Sequence, residues 1–173
     1  MRAAYRGVLR GLTLSTRVQR ARFGGLAGEE LADAELMQHF GFSSAVPAGA
    51  DVIALPVGGR TSQSVVIASE LGTVRVQLGA EGETVIYSMW GDRVHLRQDR
   101  SILIQAAARV EVQAPLATFS GNVQIAGNLT VTGTSTGTGA ASFAGGVTGA
   151  GVVLQAHTHS GVQPGGGNTG GPT

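Results

Sequence analysis

Apolar residues recur in short β-type runs along most of the chain, and this pattern predicts an all-β protein. β-branched or alternating runs cover 51–57, 64–68, 74–78 and 84–88. Gly58 and Gly59 separate the first two runs, and the others are bounded by glycine, proline or serine. Short strands at this spacing, with turn residues between them, are typical of a small barrel or sandwich.

The segment 28–40 has a different pattern. Acidic residues stand near its start, where the dipole of a helix favours negative charge. Its large apolar residues form a ragged stripe that consists of Leu31, Leu36, Met37 and Phe40. These features predict a short helix. His39 is expected to be a surface or packing residue without a metal role.

Between residues 91 and 150, pairs of apolar residues recur at period two. The pairs are Val94/Leu96, Ile102/Ile104, Val110/Val112, Val123/Ile125 and Leu129/Val131. Each strand of this kind buries one or two side chains, too few for one chain to offset a conformational entropy of about 1–2 kcal/mol per residue. Three intertwined copies can bury these residues along a shared axis. The pattern therefore predicts a trimeric shaft.

Two other structures could produce this composition. A flexible linker rich in glycine and threonine is one, but a linker would not keep alternating Val, Ile and Leu. A β-solenoid made by a single chain is the other, but it would repeat more regularly and carry a wider apolar face. Both fit the alternation less well than the intertwined trimer does.

Charge is sparse and unevenly placed. All twelve basic residues are arginines, six of them precede Phe23, and no acidic residue precedes Glu29. An arginine-rich start can bind nucleic acid or an anionic membrane, but a solvated or subunit-contacting face is the commoner case. Tyr5 and Phe23 are the only rings nearby, which makes stacking on single strands a poor fit. After Glu111 the chain carries no Asp, Glu, Lys or Arg, so this part is either disordered or buried against copies of itself.

The composition limits the remaining function classes. The chain contains no cysteine, which excludes disulfides and thiolate chemistry. Arginines interrupt the apolar residues near the start, and no run approaches the ~20 apolar residues of a membrane helix. We therefore expect a protein made in the cytoplasm. Trp90, the only tryptophan, is expected to pack between domains.

His157 and His159 are the most specific candidates for chemistry. Side chains at i and i+2 of an extended strand point to the same side. Two imidazoles are too few for a metal site, but three copies of the chain would supply six. Neutral imidazole suits Fe, Ni, Cu and Zn; zinc prefers four ligands, and the affinity order does not select iron. The alternative is two exposed histidines in a glycine-rich tail.

The segment from His157-Thr158-His159 through Ser160-Gly161-Val162-Gln163 to Pro172 resembles the apex of the central baseplate spike of contractile-tail phages. Upstream, several shorter segments resemble the Mu-like baseplate assembly (protein V type) family in the order of that family. They are Phe40-Gly41-Phe42-Ser43-Ser44, Val57-Gly58-Gly59, Val65-Val66-Ile67, Glu81-Gly82-Glu83 and Ile86-Tyr87-Ser88. The resemblance extends from about residue 14 to Pro172, and the start of the chain matches no family pattern.

The resemblance implies a homotrimer with an N-terminal OB-fold barrel, a triple-stranded β-helix and a pointed apex. It divides the chain into an arginine-rich arm (1–13), an OB-fold domain (14–89), a shaft (90–150) and an apex (151–173). It also implies one iron ion per trimer, held in octahedral geometry by His157 and His159 of three chains. Another transition metal would fit the same ligands.

The implied protein is a structural spike at the tail baseplate of a virion, and it pierces the host outer membrane when the sheath contracts. Its expected partners are baseplate hub and tail tube proteins and, transiently, that membrane, with no nucleic acid and no small-molecule substrate. A trimeric fibre or adhesin is the alternative, but the glycine-rich end offers no bulky receptor-binding head. A metal-dependent enzyme would need a further ligand and a carboxylate near His157, which the tail lacks, so no enzymatic activity is expected.

Overall fold

Ten β-strands and one turn of 3-10 helix, Leu26–Gly28, make up the regular structure of the described residues. The structure is a computed structural model, and it describes residues 3–15, 17–154 and 156. The chain divides into two compact units, Met1–Ala114 and Pro115–Thr173. Within the described residues the chain is all-β, as the alternation predicts.

The first five strands close into a barrel. They are β1 (Tyr5–Thr13), β2 (Arg20–Gly24), β3 (Glu30–Leu36), β4 (Asp51–Val57) and β5 (Arg60–Glu70). The strand order around the barrel is β1-β2-β3-β5-β4, and β1 pairs with β4 to close it. All neighbours are antiparallel except β3 and β5, which run parallel. Gly58 and Gly59, both with positive φ, form the predicted turn between β4 and β5.

The barrel interior is filled by apolar side chains from every strand. Its largest fully buried members are Phe23, Leu9, Val52 and Val66. The rings of Tyr5 and Phe23 are 6.3 Å apart between centroids, and the Tyr5 hydroxyl lies 3.1 Å from Oγ of Ser64. Both aromatic rings of the arginine-rich segment therefore belong to the core and are not available for stacking on a ligand.

The predicted N-terminal arm is wrong for residues 5–13, because these residues are strand β1 of the barrel. Tyr5, Gly7 and Leu9 are buried, while Arg6 and Arg10 alternate with them on the exposed face. The arginines interrupt the apolar run along the sequence, but they lie on the solvent side of a strand whose other side is core. The barrel thus begins before the boundary that the sequence suggested.

The predicted helix over 28–40 is also wrong, because residues 30–36 form strand β3. The buried residues Leu31 and Ala34 are three apart, and their partners on β2, Phe23 and Ala21, are two apart. One extra residue on β3 makes this difference, and Asp33 within it has a φ of 68°. A β-bulge of this kind converts a period of two into a spacing that resembles a helix. His39 is exposed, as expected.

Three further strands form a separate sheet in the first unit: β6 (Thr84–Tyr87), β7 (Arg93–Leu96) and β8 (Ile102–Gln105), paired in the antiparallel order β6-β7-β8. The strand predicted at 74–78 is absent, and this segment is irregular. Its first residue, Val74, donates its backbone N–H to the carbonyl of Leu71 in a turn. The alternation of half-buried and exposed side chains persists there without a partner strand to form a ladder.

In the second unit, the described residues contain one β-hairpin. Strands β9 (Thr148–Gly149) and β10 (Val152–Val153) pair across Ala150 and Gly151, which both have positive φ. The N–H of Leu154 donates to the carbonyl of Val147 and extends the pairing by one bond. Across the described part of the chain, no helix has the length and apolar character needed to cross a membrane.

Candidate assembly surface and tip

One face of the three-stranded sheet carries five large apolar side chains. Ile86 pairs with Val94, and Val94 pairs in turn with Ile104, so that one apolar row crosses all three strands. A second row consists of Leu96 and Ile102, with Thr84 at its β6 end. Residues paired directly across antiparallel strands project to the same side of a sheet. We call the five residues Ile86, Val94, Leu96, Ile102 and Ile104 the apolar face.

The apolar face is open to solvent in a single chain. Its side chains are 36% to 64% exposed, with Val94 the least and Ile102 the most accessible. A soluble monomer rarely leaves a contiguous apolar patch of this kind uncovered, so such a patch indicates an interaction surface. The apolar face is therefore a candidate surface for contact with another chain.

The opposite side of the sheet is held by a buried polar contact. Oε2 of Glu83 lies 3.2 Å from Nε2 of His95, and the two side chains are only 10% and 12% exposed. The backbone N–H of Gln98 donates to Oε1 of Glu83, and that of Gly79 donates to Oε2. The hydrogen bonds from Gln98 and Gly79, followed by the contact with His95, lower the pKa of Glu83.

Two aspartates organise the turns of the same sheet. Oδ1 of Asp92 accepts the N–H of Ala107, and Oδ2 accepts the hydroxyl of Ser88. Asp99 accepts the N–H of Ser101 at 2.8 Å in the turn between β7 and β8. Hydrogen bonds from the side chain and the backbone of Ser101 lower the pKa of Asp99. The acidic residues of this region thus stabilise turns and are not gathered into a site for chemistry.

Most of the large apolar side chains that follow β8 are also exposed to solvent in the single chain. No strand is present between 106 and 147, a range that the structure describes in full. Nine large apolar side chains in this range are 49% to 79% exposed: Val110, Val112, Leu116, Phe119, Val123, Ile125, Leu129, Val131 and Phe143. Nine such side chains in solvent, in a segment that carries no charge after Glu111, indicate an interaction surface.

The predicted metal ligands His157 and His159 lie outside the described residues, and so does the glycine-rich segment after them. Among the residues that the structure describes, no three His, Asp or Glu side chains come together in a group that could hold a metal. The hairpin of β9 and β10 ends four residues before His157. The prediction of a metal site at the tip is therefore not tested by the geometry.

Sequence reasoning missed two features of this region. The contact between Glu83 and His95 joins residues twelve apart and leaves no local signal, because the pairing of β6 with β7 brings them together. Trp90 was expected to pack between domains, yet its side chain is 80% exposed in the single chain. That expectation is wrong for contacts within one chain.

Comparison with known families gives two matches at opposite ends of the chain. Residues 6–72 match the family described as Bacteriophage Mu Gp45, N-terminal, which corresponds to the barrel. Residues 151–173 match the GpV Apex motif, which begins at the β9–β10 hairpin and includes both predicted metal ligands. The two matches together support a Mu-like baseplate spike protein. The resemblance inferred from the sequence motifs is thereby confirmed.

Two curated relatives agree with this assignment. The baseplate puncturing device gp45 of Escherichia phage Mu is 27% identical over 127 residues, which cover 69% of this chain and 64% of that protein. The Mu-like prophage FluMu protein gp45 of Haemophilus influenzae is 29% identical over 114 residues, which cover 58% of this chain and 62% of that protein. The matched region thus spans less than two thirds of the length of either relative.

Proposed function

We propose that three copies of the chain form a structural spike at the tip of a phage tail baseplate. The spike carries a metal-clamped apex and pierces the host outer membrane when the sheath contracts. The single observation that carries this proposal is the apolar face of the three-stranded sheet, left open in one chain and continued downstream by an uncharged, alternating segment. The family relationship supports the baseplate location.

Burial of the apolar face supports assembly with identical partners. Full burial of a Leu, Ile or Val side chain is worth about 1.5–3 kcal/mol. One chain offers five such residues on the face and more downstream, while its own fold covers none of them completely. Three copies related by a threefold axis turn these faces towards one another, and every chain then makes the same contacts.

The absence of charged side chains from the shaft and tip supports both the formation of a trimer and its entry into a membrane. Identical strands around one axis would repel one another if they carried charges of one sign. A segment without charged side chains also avoids the cost of moving an ion into a bilayer. Residues 112–173 meet both conditions, because they contain no Asp, Glu, Lys or Arg.

The donor chemistry of the tip fits a transition metal. His157 and His159 of three chains would supply six imidazole nitrogens, a ligand type that suits iron and its neighbours in the first transition series. The apex motif that these residues fall in is a metal-binding motif of spikes. The ion would join three chain ends that otherwise fray. We propose iron, with one ion per trimer.

The proposed partners follow from this role. The barrel is closed and apolar side chains fill its interior, so we assign it to attachment to baseplate hub and tail tube proteins. The tip would meet the outer membrane only during contraction. We propose no enzymatic activity, nucleic acid or small-molecule substrate, since Glu83, Asp92 and Asp99 hold the three-stranded sheet and its turns together.

Native mass spectrometry combined with elemental analysis tests the proposal. The intact protein should have the mass of three chains and contain one metal ion per trimer. A His157→Ala/His159→Ala variant should remain trimeric and lose the ion, and a His39→Ala variant, altered at an exposed histidine, should keep it. A monomeric intact protein would refute the spike, and a double variant with unchanged metal content would refute the site.

A further inference from the structure

A six-residue period runs through the second unit of the chain. Glycine stands at every sixth position: Gly121, Gly127, Gly133, Gly139, Gly145 and Gly151. The backbone bends or turns at each of these glycines, at residues 120–121, 126–127, 132–133, 138–139, 144–145 and 150–151. The period of the sequence is therefore also a period of the backbone. We call the stretch from one of these glycines to the residue before the next a repeat.

Apolar side chains follow the same period. In three of the repeats the second and fourth residues after the glycine are apolar: Val123 and Ile125, Leu129 and Val131, and Ala141 and Phe143. The five large side chains among them are 49% to 68% exposed in the single chain. Ser135 and Gly137 take these two positions in the third repeat. The segment thus presents regularly spaced pairs of apolar side chains that its own chain leaves in solvent, which indicates an interaction surface.

The single chain has no steric need for glycine at the first five of these bends. None of the five has a φ in the left-handed region, so other residues can adopt the same backbone. A Cβ atom added at any of the five would meet no atom of the described chain within 4 Å. Gly7 in the barrel is different, because a Cβ there would lie 2.6 Å from the carbonyl oxygen of Gly24. A steric reason for glycine at the bends must therefore lie in contacts with another molecule.

The repeats do not complete a structure with one another. Six-residue repeats of one chain can form a β-helix, in which successive turns pair through their backbones and bury a continuous core. Residues 106–147, all of which the structure describes, contain no strand, so the first four repeats form no such ladder. Their apolar pairs also remain exposed. Other chains have to supply the partner strands and the cover for the apolar pairs.

A second copy of the chain is the partner that fits this segment. Residues 112–173 carry no charged side chain, so charge complementarity does not select a different protein here. A copy has the same six-residue period, and a threefold axis brings equivalent repeats to the same level. We propose that residues 121–151 assemble into layers of one repeat from each of three copies, with the glycine where the backbone of a neighbouring copy passes. This inference rests on the trimer proposed above and adds the register in which the copies meet.

Two substitutions within one repeat test the glycine contact in the full-length protein. Gly127 and Thr130 are both exposed in the single chain, so a leucine at either position meets the same open space there. In the trimer, Gly127→Leu should lower the midpoint of thermal unfolding by several degrees relative to Thr130→Leu, or abolish assembly. Calorimetry and native mass spectrometry measure both effects. An equal or larger loss in Thr130→Leu overturns the inference and leaves the spike intact, whereas a monomeric wild-type protein overturns both.

Thiol cross-linking provides a second measurement, which tests the register directly. The chain has no cysteine, so Leu129→Cys and Thr130→Cys each introduce one thiol. When the same repeat of three copies forms one layer, the thiols at position 129 face one another across the shared axis. Mild oxidation should then link Leu129→Cys chains in pairs several-fold more than Thr130→Cys chains, because successive residues of a strand point to opposite sides. Equal linking of the two variants, in trimers of confirmed mass, would overturn the proposed register.

Discussion

Nε2 of His95 lies 3.2 Å from Oε2 of Glu83 on the side of the sheet opposite the apolar face. The carboxylate stands directly before β6, and it also accepts N–H groups from Gly79 and from Gln98, which follows β7. The side chain of Glu83 therefore connects three places: the residues just before β6, the centre of β7 and the turn that follows β7. The alignment of β6 with β7, and with it the row of apolar residues, depends on this contact.

A Glu83→Gln substitution should lower the midpoint of thermal unfolding at neutral pH. Three donors lower the pKa of Glu83, so its charged form is stabilised in the folded state. That stabilisation is fully present above the ordinary pKa of a glutamate and is lost as the pH falls through the lowered value. The gap between wild type and variant should thus close on acidification. Calorimetry across a pH series measures it.

Glu81→Gln is the matched control for this experiment, since Glu81 is exposed and lies two residues away. Its unfolding midpoint should follow that of the wild type at every pH. A gap between wild type and Glu83→Gln that stays constant or widens on acidification would contradict the proposed role of the carboxylate.

Phe23→Ala should destabilise the barrel by about 3–5 kcal/mol, because it removes a fully buried ring and leaves a cavity. Phe40→Ala is the control, since the Phe40 side chain is completely exposed, and its effect should stay within about 0.5 kcal/mol. Urea unfolding followed by far-UV circular dichroism measures both. Similar losses for the two variants would show that Phe23 is not the centre of the core.

Gly7→Ala should be destabilising by about 1–3 kcal/mol through overpacking. A Cβ atom at Gly7 would lie 2.6 Å from the carbonyl oxygen of Gly24 and 2.7 Å from Cδ2 of Phe23, and neither can move freely. On the same strand, a Cβ at Gly11 comes no closer than 3.8 Å to the guanidinium of Arg22. Gly11→Ala should therefore be nearly neutral in the same denaturation assay, and an equal loss in both variants would argue against the close approach of β1 and β2.

Leu96→Asp should disrupt the trimer, because each chain loses about 1.5–3 kcal/mol of apolar burial and must also desolvate a carboxylate. Gln105→Asp introduces the same charge on β8 at a position outside the apolar face, so that variant should assemble normally. Analytical ultracentrifugation distinguishes the two masses. A trimeric Leu96→Asp protein would show that the apolar face is not the assembly surface.

Removal of the metal should affect the tip and spare the barrel. Ligation requires neutral imidazole, so metal content should fall as the pH drops through the range in which histidine protonates, around 6.5. Chelation at neutral pH should increase proteolysis of the last residues, while the urea midpoint of the barrel stays unchanged. Measurements are metal content by mass spectrometry and mass mapping of the digest. Metal retained well below that pH would exclude histidine as the ligand.

The β4–β5 hairpin shows how far local pattern reaches. Two β-branched runs around Gly58 and Gly59 predict it, and the structure contains it, since a two-residue turn with positive φ needs only residues that are neighbours in sequence. Strand β3 shows where local pattern fails. Its bulge at Asp33 shifts Leu31 and Ala34 to a helical spacing, and only the partner strand β2 reveals that they share a face.

Alternation and composition by themselves determined that this chain is built from β-strands, that its later part carries an apolar stripe without charge, and that two histidines stand near its end. These are properties of neighbouring residues. The tertiary structure decided that β1 belongs to the barrel and that Glu83 meets His95. It also decided that the apolar residues of β6, β7 and β8 align in rows. Each of these depends on strand register, which arises from pairing between segments distant in sequence.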